Sequence, residues 1–480
     1  MATDTASTST SVLPGGEERQ IAVRLTTKDS QYSIPPTKFL VPASWRRYHL
    51  SELINKVLEN ATPVPFDFVI NSSLLRSTLG QYCQQTGTSE EITLEIEYLP
   101  STLPPQLDST LPSQDWVSDV SLAVKDSILS ASYAGTLSLV SPNLPTSASP
   151  LTFNGHDQSV LSCTYVSHPL ASAGKQWVAS GGMDRIARVW EYDSSPSATT
   201  VTPQTLYTLP LHSGPISSVR ARPTGITSTT SPHILTAGWD GVIGVWNLTP
   251  GINEGQLDDA DEFKEDGQGR KKKRRKQQTT EIKSKSAVNV LRGHQGKISS
   301  AIFDSASNNT VYSTGWDHTV RSWDLETGVE TASKTCDKVL YSLSQMATPN
   351  LLATGTSDRL ICFFDLRTSS ETFSTGVAQN ITLTMSGHTG PVSAVKSHPT
   401  SSLMLVSGSF DGTVRIWDAR SPKQALFVLS MPDLDDSSAR KDAVDKVLSV
   451  DWDGERIAAG GQGAKVVQWK VSESGGVQNA

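Results

Sequence analysis

Residues Ser407–Asp418 read SGSFDGTVRIWD, with Asp411 in a turn and Trp417 six positions later. The same frame returns as SGGMDRIARVWE with Asp184 and Trp190, as TAGWDGVIGVWN with Asp240 and Trp246, and as STGWDHTVRSWD with Asp317 and Trp323. Degraded copies keep the offset at Asp358 and Phe364, Ala134 and Val140, and Gly463 and Trp469. The turn positions follow one another at intervals of 50, 56, 77, 41, 53 and 52 residues. Self-similarity at such a period marks a repeat architecture, in which each copy is one small supersecondary unit. Seven copies mean seven units.

Each block resembles the WD40 family, and the resemblance covers about three quarters of the chain. It implies a β-propeller in which every block builds one four-stranded blade. A second landmark lies upstream of four turns: Gly155-His156, Leu211-His212, Gly293-His294 and Gly387-His388. Between landmarks run stretches rich in Val, Ile, Ser and Thr, such as Pro391-Val392-Ser393-Ala394-Val395, which read as strands. In the family, a His, a Ser or Thr, an Asp and a Trp form a buried hydrogen-bond chain within a blade. The matching sets are His156, Ser180, Asp184, Trp190; His212, Thr236, Asp240, Trp246; His294, Ser313, Asp317, Trp323; and His388, Ser407, Asp411, Trp417. Ser, His and Asp together also suggest a hydrolase triad. An enzyme needs one such set in one cleft, whereas this arrangement recurs at one register. The histidines are read as architecture, and the chain as no enzyme.

Blades one, five and seven depart from the pattern. Asp115-Trp116-Val117, Asp337-Lys338-Val339 and Asp445-Lys446-Val447 stand where a Gly-His would fall, and Val140 and Phe364 replace the Trp, leaving apolar packing to hold those blades. Propellers usually close by pairing an N-terminal strand into the last blade, which removes a free sheet edge. The residues before Asp115 are the candidates, although Pro104, Pro105 and Pro112 restrict a long strand there.

The chain of 480 residues is long enough for a propeller and one small domain. A net charge of −7 argues against a nucleic-acid sleeve. Cys83, Cys163, Cys336 and Cys362 form no Cys-x-x-Cys pair, which fits neither a disulfide framework nor a zinc site and suits a reducing compartment. No apolar run approaches the roughly 20 residues of a membrane span. The Ser/Thr-rich start has no apolar core, so no secretory signal is expected. These features describe a soluble intracellular protein with no membrane partner.

Residues 1–19 are polar and are expected to form a disordered tail. From Gln20 the texture changes. Ile21–Leu25 alternates like a half-buried strand, and Lys38–Pro42 reads as its partner. Leu50, Leu53, Ile54, Val57 and Leu58 repeat at helical spacing with Ser51 as a candidate cap. Phe66–Ile70, a short helix near Leu79–Gln85 and a final strand Ile92–Tyr98 complete a unit over 20–99, followed by a linker over 100–112 and the propeller over 113–475. The order suggests a ubiquitin-like β-grasp without a terminal diglycine. The overall expectation is a mainly β chain: a seven-bladed WD40 propeller preceded by a small α+β ubiquitin-like domain.

Together with Asp115-Trp116-Val117, the phrases YHLSELINKVL, PVPFDFVINSSLLRSTL and LEIEYLP are similar to those of a nucleolar WD-repeat family. That family works with the pescadillo and block-of-proliferation proteins in large-ribosomal-subunit assembly. A close relative, the notchless family, shares the first domain but carries eight blades. The resemblance implies a scaffold on pre-ribosomal particles that supports maturation of large-subunit rRNA in nucleus, nucleolus and nucleoplasm, joined propeller to propeller with the block-of-proliferation protein. It also implies that the ubiquitin-like domain docks on the metal site of midasin, a ring ATPase. There a loop glutamate from Gly87-Thr88-Ser89-Glu90-Glu91 completes the coordination of a hard cation. By register that residue is Glu91, with Glu90 the less favoured neighbour; the bland reading makes both solvated loop carboxylates. No cofactor is implied, and no metal is expected in the isolated chain, because one carboxylate cannot hold one.

The 77-residue interval points to an insertion over 250–286 between blades three and four, acidic first and basic after, and expected to be disordered. Its seven consecutive basic residues are Arg270, Lys271, Lys272, Lys273, Arg274, Arg275 and Lys276. Nuclear import is the leading reading. Direct contact with pre-ribosomal RNA, which would be backbone-directed and salt-sensitive, is the second. A merely solvated charge run is the third. A rival function, substrate adaptor of a ubiquitin ligase, would need a ligase-docking element such as an F-box, and none is found.

Overall fold

The computed structural model describes residues 19–60, 63–89, 92–101, 103–141, 150–167, 175–194, 202–223, 231–256, 283–347, 351–366, 381–432 and 444–471. They fall into two compact units, one within Met1–Leu103 and one spanning Pro104–Ser472.

The first unit runs β1 (Gln20–Thr26), β2 (Lys38–Pro42), α1 (Arg47–Leu58), β3 (Phe66–Ile70), β4 (Ser73–Leu74), α2 (Leu79–Thr86) and β5 (Leu94–Pro100). The sheet order is β2-β1-β5-β3-β4, with β1 and β5 parallel and Val23 opposite Leu94. Alternation puts Ile21, Val23 and Leu25 on one face, where they bury against Leu50 and Ile54 of α1. Ser51 is not the cap of α1. That position belongs to Arg46, whose amide donates to His49 Nδ1 at 3.2 Å. Ser51 Oγ instead accepts from the Phe66 amide at 3.1 Å and so ties α1 to the start of β3. The Thr78 hydroxyl does cap α2, accepting from the Gln81 amide at 3.2 Å. The last strand begins at Leu94 rather than Ile92, and Ile92 is exposed.

In the second unit, seven sheets follow one another among the described residues, six of them four-stranded and antiparallel and one, blade two, extended to six strands by a two-stranded ribbon. Blade one holds Val117–Ser121, Ile128–Ser132, Thr136–Val140 and Leu151–Asn154, and blade seven holds Val447–Trp452, Arg456–Gly461 and Lys465–Lys470. Buried side chains from neighbouring blades interleave: Val189 of blade two packs with Val219 and Ile234 of blade three, and Ile416 of blade six with Val450 and Ile457 of blade seven.

Two expectations need correction. Residues 106–112, assigned to a linker, form β6 (Gln106–Pro112), which pairs with Lys465–Lys470 and supplies the fourth strand of blade seven, the closing role expected of the residues before Asp115. The prolines do not obstruct it. Pro112 ends the ladder opposite Lys465, and Pro104 and Pro105 precede its first residue, so the strand interior keeps its amide donors. The charged insertion, expected between blades three and four and without structure, lies inside blade three, between Val242–Asn247 and Asn289–Arg292. Its two ends form a ribbon, Glu254–Gln256 against Lys283–Lys285, and Lys283 and Ser284 continue in parallel register beside Tyr207 and Thr208 of blade two.

Candidate functional site

The four His-Ser/Thr-Asp-Trp sets come together in four blades. In blade six His388 Nδ1 lies 2.9 Å from Asp411 Oδ2, its Nε2 lies 2.7 Å from Ser407 Oγ, and the Trp417 indole donates to the same hydroxyl at 2.7 Å. The corresponding distances are 2.8, 2.8 and 2.8 Å for His156, Ser180, Asp184 and Trp190. They are 3.1, 2.8 and 2.9 Å for His212, Thr236, Asp240 and Trp246. For His294, Ser313, Asp317 and Trp323 they are 2.7, 2.7 and 2.8 Å. The indole needs the hydroxyl as acceptor, so that hydroxyl donates to Nε2 and the imidazole proton sits on Nδ1 facing the carboxylate.

Burial alone would raise the carboxyls of Asp184, Asp240, Asp317 and Asp411; the histidine and backbone amides outweigh it and hold all four below the usual range. Burial lowers His212 and His388 despite their aspartates, so these imidazoles stay neutral at physiological pH. The hydroxyls of Ser180, Thr236, Ser313 and Ser407 are completely buried and already committed to both neighbours. No substrate atom can reach them, which excludes nucleophilic use.

The landmark glycine has a local cause. A Cβ built on Gly387 would stand 2.9 Å from Trp417 Cη2, and one on Gly155 would stand 2.7 Å from Trp190 Cη2. Blade three exchanges the two sizes. Leu211 replaces the glycine, and Gly244 stands where the other three blades carry Arg188, Arg321 and Arg415; a Cβ on Gly244 would meet Leu211 Cδ2 at 2.6 Å.

The remaining blades use other contacts. In blade five the Phe364 ring is completely buried, as apolar packing requires, but Lys338 Nζ also reaches Asp358 at 2.7 Å and Asp337 at 3.1 Å. Lys465 of blade seven approaches Asp445 at 3.4 Å and donates to the Pro432 carbonyl at 2.5 Å.

Sequence reasoning missed a polar lock at the propeller axis. Asp119, buried on the inner strand of blade one, accepts from Ser449 of blade seven at 2.8 Å, from Ser162 of blade two at 2.8 Å and from Arg220 of blade three at 2.8 Å. Asp451 accepts from the Leu122 amide at 2.7 Å and pairs with Lys396 at 2.9 Å. An Asp in register with Val117 inside the short strand Val117–Ser121, and so on its buried face, was the available signal.

Glu91 and its neighbour Glu90, and Arg270 through Lys276, lie outside the described residues. On either side of these two residues, Gly87 follows α2 at φ +66 with its amide on the Cys83 carbonyl, and the Ile92 amide donates to the Ser89 carbonyl at 3.2 Å. Among the described residues no group of three or more His, Cys, Asp or Glu could hold a metal ion. No helix there is long and apolar enough to cross a membrane.

Comparison with known proteins fits this division. Residues 21–83 match the NLE (NUC135) domain, and residues 148–191, 203–247, 285–324 and 379–418 match the WD domain, G-beta repeat. The crystal structure of the WD40 β-propeller domain of Doa1 is similar in fold, with a TM-score of 0.52 at 20% identity over 76% of this chain and 96% of that one. A ribosome biogenesis protein YTM1 from Coprinopsis cinerea is 34% identical, covering 92% of each chain. One from Aspergillus oryzae is 33% identical, covering 91% of this chain and 92% of its own length. Ribosome biogenesis protein YTM1 of Laccaria bicolor is 37% identical over 98% of this chain and 99% of its own, and the chain therefore belongs to the YTM1 family of ribosome biogenesis proteins.

Proposed function

We propose that the chain is a non-enzymatic ribosome biogenesis factor acting on the large subunit. Its propeller holds it in the pescadillo/block-of-proliferation complex, chiefly against the propeller of the block-of-proliferation protein. Its ubiquitin-like domain is the handle by which the midasin ATPase removes it from pre-ribosomes. The observation that carries the reading is full-length similarity to ribosome biogenesis proteins in a chain that splits into two compact units.

In this reading Glu91 supplies one carboxylate oxygen to a hard divalent cation held by midasin, a type of ion that accepts oxygen ligands at an open position. Nothing in the chain performs chemistry on the particle. The work comes from the ATPase, and the chain's task is to be gripped at one end while gripping at the other. The basic run Arg270–Lys276 serves nuclear import and places the chain in nucleolus and nucleoplasm.

Two variants test the halves separately. Glu91→Ala should enter large-subunit precursors and accumulate there, seen as a rise in its particle-bound fraction in sucrose gradients. Release at the normal rate would overturn the mechanism. Replacing Arg270–Lys276 by a neutral stretch should leave the protein in the cytoplasm by fluorescence microscopy, with normal import as the contrary result.

A further inference from the structure

In each of the seven blades the turn between the second and third strands donates a backbone hydrogen bond to the residue just ahead of the innermost strand, as Trp316 does to Lys297 and Phe410 to Pro391. These positions surround one mouth of the propeller, the end at which the His-Asp turns lie. From blade three to blade seven, side chains at or beside these positions form a continuous arc. Lys297 Nζ sits 4.0 Å from the centre of the Trp239 ring and 5.0 Å from that of Trp316. Trp316 meets Tyr341 edge-on at 6.2 Å, Tyr341 approaches Phe410 at 6.3 Å, and Lys446 Nζ lies 5.4 Å from the Phe410 ring.

The blade-forming indoles are buried, so packing does not demand this second set. Trp239 and Trp316 are 37% and 47% exposed. Large aromatics with interleaved cations, left in water, have the composition of an interface centre. Among the described residues neither Lys297 nor Lys446 has an acidic partner. Their ammonium groups lean on ring faces, which holds them in place and leaves hydrogens to donate.

The complement of such a surface is a carboxylate beside an apolar side chain. A nucleic-acid backbone fits less well, because Asp337 and Asp358, exposed at blade five along the same arc, share the single cation of Lys338 and leave a net negative charge that would repel phosphate. We propose that this arc is the propeller's gripping face and seats a protein segment that presents an aromatic or aliphatic side chain next to an acidic one, the acid directed at Lys297. The inference deepens the function proposed above and rests on it.

Photo-crosslinking on isolated large-subunit precursors tests it. The chain would carry p-benzoylphenylalanine in place of Trp316 or, as control, in place of Val329, which is exposed in a turn at the opposite end of the blade-four strands. Position 316 should crosslink to a protein peptide containing Asp or Glu, and position 329 should not. Lys297→Glu should lower particle association roughly tenfold with an unchanged melting temperature, and Lys297→Arg should retain it. Reversing the crosslinked partner carboxylate to lysine should rescue Lys297→Glu. Crosslinks to RNA from position 316, crosslinks from position 329 alone, or undiminished association of Lys297→Glu would overturn the inference and leave the proposed function standing. Absence of the unsubstituted chain from the particles would overturn both.

Discussion

At the scale of single residues, each four-member chain turns on one hydroxyl that serves two neighbours. Ser407→Ala would strand His388 Nε2 and the Trp417 indole together, each an unsatisfied buried group costing about 1–3 kcal/mol. Chemical denaturation should show a loss of about 2–6 kcal/mol for the two groups together and an unchanged m-value, because the blade stays folded. The ionisable members set the response to acid. His212 and His388 have folded values below the ordinary ~6.5, so the unfolded chain takes up protons first and stability falls as pH drops below that value. The aspartates, also depressed, contribute stability that is present above the ordinary ~3.9 and is lost as pH falls further. Melting temperatures at pH 7.5, 5.5 and 3.5 should therefore decline in two steps. In Asp411→Asn the second should be smaller than in the parent. An unchanged acid limb in that variant would count against Asp411 as a contributor.

Strands and ribbons obey a different logic, because their partners are remote in sequence. The turn-plus-Trp frame was readable at once: each block carries its own Asp, strand and Trp, and local signals need no partner to be recognised. The β-grasp strands were readable for the same reason, by their alternation. The closing strand β6 was readable only in part: the way propellers close pointed to the residues before Asp115, but QLDSTLP has little apolar pattern and takes its role from Lys465–Lys470 at the far end of the chain, so its extent was not. The axial lock on Asp119 was hidden likewise, in partners more than forty residues away. The ribbon at the base of the charged insertion was missed because composition reported only its charge. There Lys285, with its side chain fully buried, donates to the carbonyls of Thr249 at 2.7 Å and Ile252 at 2.9 Å and lies over the Tyr207 ring. Burial alone would raise the Glu254 carboxyl, but the Gly251 amide, Lys283, the Tyr207 hydroxyl and Lys285 bring it down to about 2. The depressed value means that the ribbon gains stability from Glu254 above the ordinary carboxylate range and loses it as pH falls toward 2. Glu254→Gln should abolish that dependence locally. Amide exchange of Lys283–Lys285 would read it, with faster exchange at neutral pH in the variant and no further acceleration on acidification.

The whole molecule joins a unit within Met1–Leu103 to a ring whose first strand starts at Gln106. Their border is therefore narrow, and its position matters for any attempt to separate handle from grip. A chain beginning at Pro104 keeps all of β6. It can close blade seven through the register from Gln106 opposite Lys470 to Pro112 opposite Lys465. A chain beginning at Gln114 is only ten residues shorter and lacks that strand, leaving the third strand of blade seven as an open edge available to other chains. The Asp119 contacts to Ser449, Ser162 and Arg220 would then carry the junction between first and last blades without the outer ladder. The shorter fragment should aggregate and melt at a lower temperature, whereas the longer one should stay monomeric by light scattering. If the proposed division of labour holds, the fragment from Pro104 should still co-purify with the block-of-proliferation protein and pescadillo and lose midasin. Equal behaviour of the two fragments would mean that β6 does not close the ring, and retention of midasin by the longer one would move the handle into the propeller.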